Sequence, residues 1–216
     1  MKSIQEALNE KKGKVSIKGW VYRKRKLQNQ VFLVIRDSTN IVQCTIEKDS
    51  KFYELANSLY SESSVKIEGT LQEDERAPTG YEIKVTGLEI VHKGEPFPIA
   101  KDFSTEFLLD NRHLWLRSRK MVSIMKIRHT ILQAFREHYT NKGYFEFTPP
   151  ILQPTQCEGG STLFEVKYYK DKMFLSQSGQ LYSEAYIFGL EKIFLISPTF
   201  RAEKSKTSRH LSEFWM

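Results

Sequence analysis

The sequence predicts a small β-barrel followed by a mixed α+β region. Three observations carry this: five short β-rich runs between Lys14 and His92, one helical stretch after the third run, and a long amphipathic helix beginning at Ser118. The runs are "KVSIKGWVYRKRK", "QVFLVIRDS", "NIVQCTIEKD", "SSVKIEGTLQ" and "YEIKVTGLEIVH", separated by turn residues. Between the third and fourth, "SKFYELANSLY" repeats Phe52, Leu55, Ala56 and Leu59 at helical spacing. Five strands with a helix after the third are the layout of an OB-fold, a partly open barrel whose outer face commonly binds oligonucleotides.

The chemistry of the first strand supports that use. "WVYRKRK" places Arg23, Lys24, Arg25 and Lys26 at its end, beside the strand that carries Phe32. Cations hold phosphates while a ring stacks on an unpaired base. The competing reading makes Phe32 a core residue and the basic run a solvated loop.

Composition sets the outer bounds. With 216 residues, 40% of them hydrophobic, the chain is long enough for two small cores. Lys and Arg number 33 against 26 Asp and Glu, a net charge of +7 that favours an anionic partner, nucleic acid first. Cys44 and Cys157 lie far apart without spaced Cys or His companions, so neither a disulfide framework nor a zinc site is supported and a reducing compartment is expected. The N-terminus "MKSIQEALNEKKGK" is polar and helical-looking, and no run reaches the roughly 18 apolar residues of a membrane span. A soluble cytoplasmic protein without a membrane partner is expected.

The boundary follows from proline and lost periodicity. "HKGEPFPIAKDF" carries two prolines, so the division predicted is a barrel over 1–95, a linker or hinge over 96–117 and a second domain over 118–216. From Ser118 to Asn141, Met121, Val122, Met125, Ile131, Leu132, Phe135 and Tyr139 recur at helical steps, and Gly143 follows as a stop. The extended run "GYFEFTPPIL", a glycine loop "CEGGSTLFEV", short strands and the helix "QLYSEAYIFGL" come next.

A long helix leading through "KGYFEFTPPIL" resembles motif 1 of the class II aminoacyl-tRNA synthetases, and "FRAEKSKTSRHLSEF" resembles their motif 2. Together with the preceding barrel, the order is similar to the aspartyl, asparaginyl and lysyl subgroup, which binds the anticodon through an N-terminal OB domain. The resemblance covers the whole chain and implies a partial α+β catalytic domain with an antiparallel sheet, ATP and Mg2+ as cofactors, tRNA as partner, and a homodimer formed through motif 1.

The same resemblance assigns roles. Arg201 is the cation on the α-phosphate and the amino acid carboxylate, Glu203 faces the adenine side, His210 reaches the γ-phosphate, and Phe214 stacks on adenine. An arginine suits its place because its planar fork grips two oxygens at once. Lys204 to Arg209 form a turn that meets the acceptor end of tRNA. Glu158, in a Glu-Gly-Gly loop that closes over the amino acid, faces its ammonium group, and Gln180 contacts its side chain. In the barrel, Phe32 stacks on the central anticodon uridine, Gln43 hydrogen-bonds it, and Arg25 makes a further contact.

The specificity reading turns on one position. Aspartyl enzymes place a lysine just after "QSPQLY" or its equivalent, where this chain has Ser183 in "QSGQLYSEA". A bound aspartate would be left unpaired there, which favours asparagine and tRNA-Asn. Motif 3 and the carboxylates expected to hold magnesium would lie after Met216, so this chain by itself is expected to be inactive. An aspartyl enzyme, including a non-discriminating one, an RNA-binding module without catalysis, and an amide-forming paralogue are the alternatives.

Overall fold

The computed structural model describes residues 1–99, 103–155, 162–204, 207 and 209–216. They fall into two compact units, Met1–Trp115 and Leu116–Met216.

The first unit opens with α1 (Ile4–Asn9), whose start is a capping box: Ser3 accepts from the Glu6 backbone N–H while the Glu6 carboxylate accepts from the Ser3 N–H. Five strands follow, β1 (Gly13–Lys26), β2 (Gln30–Arg36), β3 (Ile41–Glu47), β4 (Ser64–Glu73) and β5 (Tyr81–His92), with α2 (Tyr53–Asn57) between β3 and β4. The barrel is closed in the order β1-β2-β3-β5-β4. The five-stranded barrel expected from the sequence is present, and β5 closes it: β5 pairs with β4 along its length and, in parallel, with β3 at Gln43↔Glu82, Cys44↔Ile83 and Thr45↔Lys84.

Alternation along the strands puts Val31, Leu33 and Ile35 of β2 inside with no exposure, while Phe32 and Val34 between them face outward. Ile17, Val21, Ile46, Ile67 and Ile83 complete the core. The N-terminal segment, polar in sequence, contributes to that core as well: Ile4, Ala7 and Leu8 turn inward as one helical face. Gly69 marks a tight crossing, since a Cβ there would sit 2.2 Å from the Lys84 carbonyl oxygen.

In the stretch between barrel and long helix the structure forms two short helices that the sequence did not signal, α3 (Thr105–Asp110), capped by Ser104, and α4 (Arg112–Trp115). The second unit begins with α5 (Arg119–Asn141), capped by the Ser118 hydroxyl on the Met121 N–H and stopped where Gly143 takes φ +78°. None of its residues is buried, and Ile127, Ile131 and Phe135 stand exposed. Short strands follow: β6 (Phe145–Glu146), β7 (Leu152–Gln153), β8 (Glu165–Tyr168) and β9 (Asp171–Leu175), then α6 (Gln180–Leu190), β10 (Ile193–Phe194), β11 (Pro198–Phe200) and β12 (Glu213–Trp215). They pair as β7-β9-β8 and β11-β12, both antiparallel, and as β10-β6, which is parallel. The helix expected at "QLYSEAYIFGL" and the antiparallel pair across motif 2 are both present.

Asp37, in the β2–β3 turn, ties that turn to α1. Its carboxylate accepts from the backbone N–H groups of Ile4, Thr39 and Asn40 and from the Thr39 hydroxyl. Partial burial pushes its pKa up, but these hydrogen bonds outweigh it and hold the group below the usual carboxylate range. A depressed folded-state pKa contributes stability that is present above the ordinary carboxylate pKa of about 4 and is lost as pH falls through the lowered value. In denaturant titrations at pH about 6 and about 3, the parent is therefore expected to lose more stability on acidification than Asp37→Asn; equal losses would show that Asp37 is not the acid-sensitive tie.

Candidate functional site

The barrel carries a cleft of about 950 Å³ on the outer face of β1, β2, β3 and β5 and the end of β4. Strand register builds it as two side-by-side ladders. One runs Arg25, Phe32, Thr45, Lys84; the next runs Arg23, Val34, Gln43, Glu82, Gln72. Arg25, Phe32 and Gln43 all line the cleft, so the structure brings the three sequence-predicted residues together. Phe32 is half-buried there and faces outward, which removes its reading as a core residue.

Glu82 is the residue that the sequence did not announce. It is 6% exposed, and its carboxylate accepts from the Thr45 hydroxyl at 2.6 Å, from Gln72 Nε2 at 3.0 Å and from Gln43 Nε2 at 3.4 Å. The carboxylate thereby turns the Gln43 amide so that its nitrogen points to Glu82 and its oxygen remains for a ligand. Period-two alternation in "YEIKV" puts Glu82 and Lys84 on one face; only the non-local β3–β5 pairing puts that face beside Gln43.

The second unit holds a cavity of about 300 Å³ lined by Thr162, Gln177, Ser178, Gln180, Arg201 and Glu203, among others. Arg201 enters it from the end of β11 with its guanidinium 5.3 Å from the centre of the Phe214 ring on β12. Backbone bonds fix this strand on both sides: Phe200 N–H to the Ser176 carbonyl at 2.9 Å, Arg201 N–H to Ser212 at 2.9 Å and Ala202 N–H to Thr162 at 2.7 Å. Gln177, a second residue that the sequence left unmarked, donates to the Thr162 hydroxyl at 2.8 Å, and its Oε1 is buried without a protein hydrogen-bond partner among the described residues.

Two predicted residues, His210 and Ser183, are not in the lining of that cavity. His210 lies in the turn between β11 and β12, its Nδ1 2.6 Å from the Thr207 hydroxyl. Ser183 donates its hydroxyl to the Gly179 carbonyl at 2.9 Å and shares with Gln180 an adjoining pocket of about 240 Å³. Among the described residues, that pocket's lining includes one carboxylate, Glu184, and no cation. Glu158 and its glycine loop lie outside the described residues, as does Cys157. Among the described residues, no group of three or more His, Cys, Asp or Glu is placed to hold a metal ion, and no helix is long and apolar enough to cross a membrane.

Residues 104–216 match the family of class II tRNA synthetases (D, K and N). The chain belongs to that family. Residues 15–91 of this synthetase chain match the OB-fold nucleic acid binding domain. The asparagine–tRNA ligase of Thermoplasma acidophilum is 50% identical over 205 residues, which are 94% of this chain and 48% of that protein. The ligase of the same name from Thermococcus gammatolerans is 53% identical over 204 residues, 94% of this chain and 47% of its own length. Among solved structures, the asparaginyl-tRNA synthetase of Pyrococcus horikoshii complexed with asparaginyl-adenylate superposes with a TM-score of 0.91 at 47% identity, over 99% of this chain and 51% of that one. The Entamoeba histolytica asparaginyl-tRNA synthetase in complex with asparaginyl-adenylate gives 0.82 at 31% identity, over 94% and 48%. This chain thus spans about half the length of the curated relatives it matches.

The geometry of Glu82 in the synthetase barrel makes a direct test. Glu82→Ala would leave Thr45, Gln72 and Gln43 without their shared acceptor, and is expected to cost about 2 kcal/mol of barrel stability in a denaturant melt. Glu82→Gln, which keeps one acceptor oxygen, should cost less; an unchanged midpoint for Glu82→Ala would mean that the carboxylate does not organise the ladder.

Proposed function

We propose that this chain is the tRNA-recognising and amino-acid-activating part of an asparaginyl-tRNA synthetase, which activates asparagine with ATP and transfers it to tRNA-Asn. The observation that carries the reading is the pairing of two sites in one chain: an outward Phe32 flanked by Arg25 and an amide-oriented Gln43, and an Arg201 held over Phe214 beside Gln180. Relatives named as asparagine–tRNA ligases, at 50% and 53% identity, support the choice of amino acid. In this division residues 1–95 bind the anticodon, 96–117 link, and 118–216 hold part of the activation chemistry.

In the barrel, the Phe32 ring stacks on the central uridine of the anticodon while Gln43 Oε1 accepts from its N3–H. Arg25 pairs with Phe32 across β1 and β2 and supplies positive charge at the cup. In the second unit, an asparagine carboxylate oxygen attacks the α-phosphorus of ATP, the bond to the bridging oxygen breaks, and pyrophosphate leaves with the electron pair. Arg201 neutralises charge that grows on the α-phosphate oxygens, and its fixed backbone means that little reorganisation is needed as that charge appears. Phe214 offers a face for adenine, Glu203 lies on the adenine side, His210 reaches for the γ-phosphate, and Gln180 and Glu158 hold the amino acid. Magnesium would accompany the ATP phosphates.

Ser183 and Glu184 favour asparagine over aspartate. Among the described residues, the pocket that Ser183 shares with Gln180 is lined by no cation, and Gln180 Nε2 is 3.2 Å from the Glu184 carboxylate, so an aspartate side chain would enter beside a like charge. A homodimer is the proposed assembly, with the exposed Ile127, Ile131 and Phe135 of α5 as its contact, and the cytoplasm the proposed compartment.

Two measurements test this reading. The 216-residue chain should bind tRNA bearing a GUU anticodon with an affinity that falls as salt rises, and Phe32→Ala should weaken binding by on the order of 1–3 kcal/mol. Equal affinity of parent and variant would remove the anticodon assignment. In pyrophosphate exchange by the whole synthetase that carries this chain, asparagine should outpace aspartate, and the reverse order would overturn the specificity.

A further inference from the structure

The anticodon cleft does not end at its three recognition residues. Its lining continues across Arg23 and Lys24 to Ser61, in the segment that joins α2 to β4. That segment is held rigidly against β1: Glu62 N–H donates to the Val21 carbonyl at 2.7 Å, and Val21 N–H donates to the Ser63 carbonyl at 2.8 Å. Ser63 in turn accepts from Gly94 N–H at 3.0 Å, which draws Lys93 to the same place.

Tyr60 sits in this segment, 43% exposed, with two ammonium groups around its ring: Lys93 Nζ at 5.9 Å and Lys24 Nζ at 6.0 Å from the centroid. Lys24 is immobilised by the carbonyls of Asn57 at 2.6 Å and Leu59 at 2.7 Å, which occupy two of its three N–H donors and leave one. Burial lowers the Lys24 pKa, and the neighbouring ammoniums of Lys26 and Lys93 lower it further. Cations are therefore gathered around an exposed ring at the margin of the cleft.

We propose that Tyr60, Lys93 and Lys24 form a second RNA contact on the β1 margin of the anticodon cup, taking a phosphate and one stacked nucleotide of the strand that adjoins the anticodon. A ring beside a pair of ammonium groups matches the repeating unit of single-stranded RNA, one π-face and one phosphate. An acidic peptide would satisfy the cations and leave the ring unused. Continuity with the Phe32 cleft selects the same RNA as occupant. Lys93 and the remaining Lys24 N–H hold the phosphate, and Tyr60 stacks. The contact tracks the backbone and reads no base edge.

This inference rests on the anticodon reading of the cup, and the test separates the two. Binding of the 216-residue chain is measured with an anticodon stem-loop bearing GUU, with the same hairpin carrying an altered triplet, and with a short oligonucleotide holding the triplet alone. Tyr60→Ala should weaken stem-loop binding about tenfold, and Tyr60→Phe should restore it. Lys93→Gln should weaken it roughly two- to fivefold and reduce the slope of log affinity against log salt by about 0.7–0.9. Neither Tyr60→Ala nor Lys93→Gln should alter the preference for GUU over the altered triplet, or the affinity for the short oligonucleotide. If both variants bind the stem-loop with the parent's affinity and salt slope, the second contact is wrong while the cup stands. If the parent shows no anticodon preference but both variants still weaken binding, the cup reading fails and the contact remains. A parent that binds no RNA overturns both.

Discussion

The barrel depends on a short pairing between two strands far apart in sequence. β3 and β5 meet in parallel over three residue pairs only, and without them the five strands would form an open sheet in the order β3-β2-β1-β4-β5, with β3 and β5 as unpaired edges. The pairing acts on both faces at once. Inward it sets Cys44 against Ile83, each without exposure, and burial pushes the Cys44 thiol far above its usual pKa, so it behaves as a small apolar side chain. Outward it sets Gln43 against Glu82 and Thr45 against Lys84, and so makes the floor of the cleft.

That floor is polar and largely buried, which is costly unless each group is paired. Glu82 meets the condition by accepting from three side chains on two other strands. Folding and the shape of the cleft are coupled there, because the carboxylate that holds the barrel's outer ladder together also decides which way the Gln43 amide faces. A neutral substitute of equal volume would change both.

The second unit positions its groups by different means. Among its described residues the buried apolar side chains are Phe147 and Phe194, each 8% exposed, and α5 has no buried residue. Arg201 is held instead by backbone hydrogen bonds that it and its neighbours Phe200 and Ala202 donate to the carbonyls of Ser212, Ser176 and Thr162, with the Phe214 ring beneath its guanidinium. Such a web fixes the direction of a strand end without a large core around it. The stacked Tyr139 and Phe194 rings, 5.0 Å apart, tie α5 to β10 in the same economical way.

Local chemistry made much of this legible. Period-two runs specified the five barrel strands, the Ser118 cap and Gly143 stop bounded α5, and motif spelling placed Phe214 on a strand antiparallel to the one that Arg201 follows. The sequence was less informative where partners are distant. The apolar face of α1 counts only once a barrel exists for Ile4 and Leu8 to enter, and α3 and α4 lack a periodicity strong enough to announce them. By itself, then, the sequence determined the barrel strands, the long helix and the family, because each follows from patterns and motifs within short stretches of chain. Only the tertiary structure decided that the barrel closes, that Glu82 orients Gln43, and that Lys93 and Lys24 converge on Tyr60, because those contacts join residues separated by more than thirty positions, which local pattern does not encode.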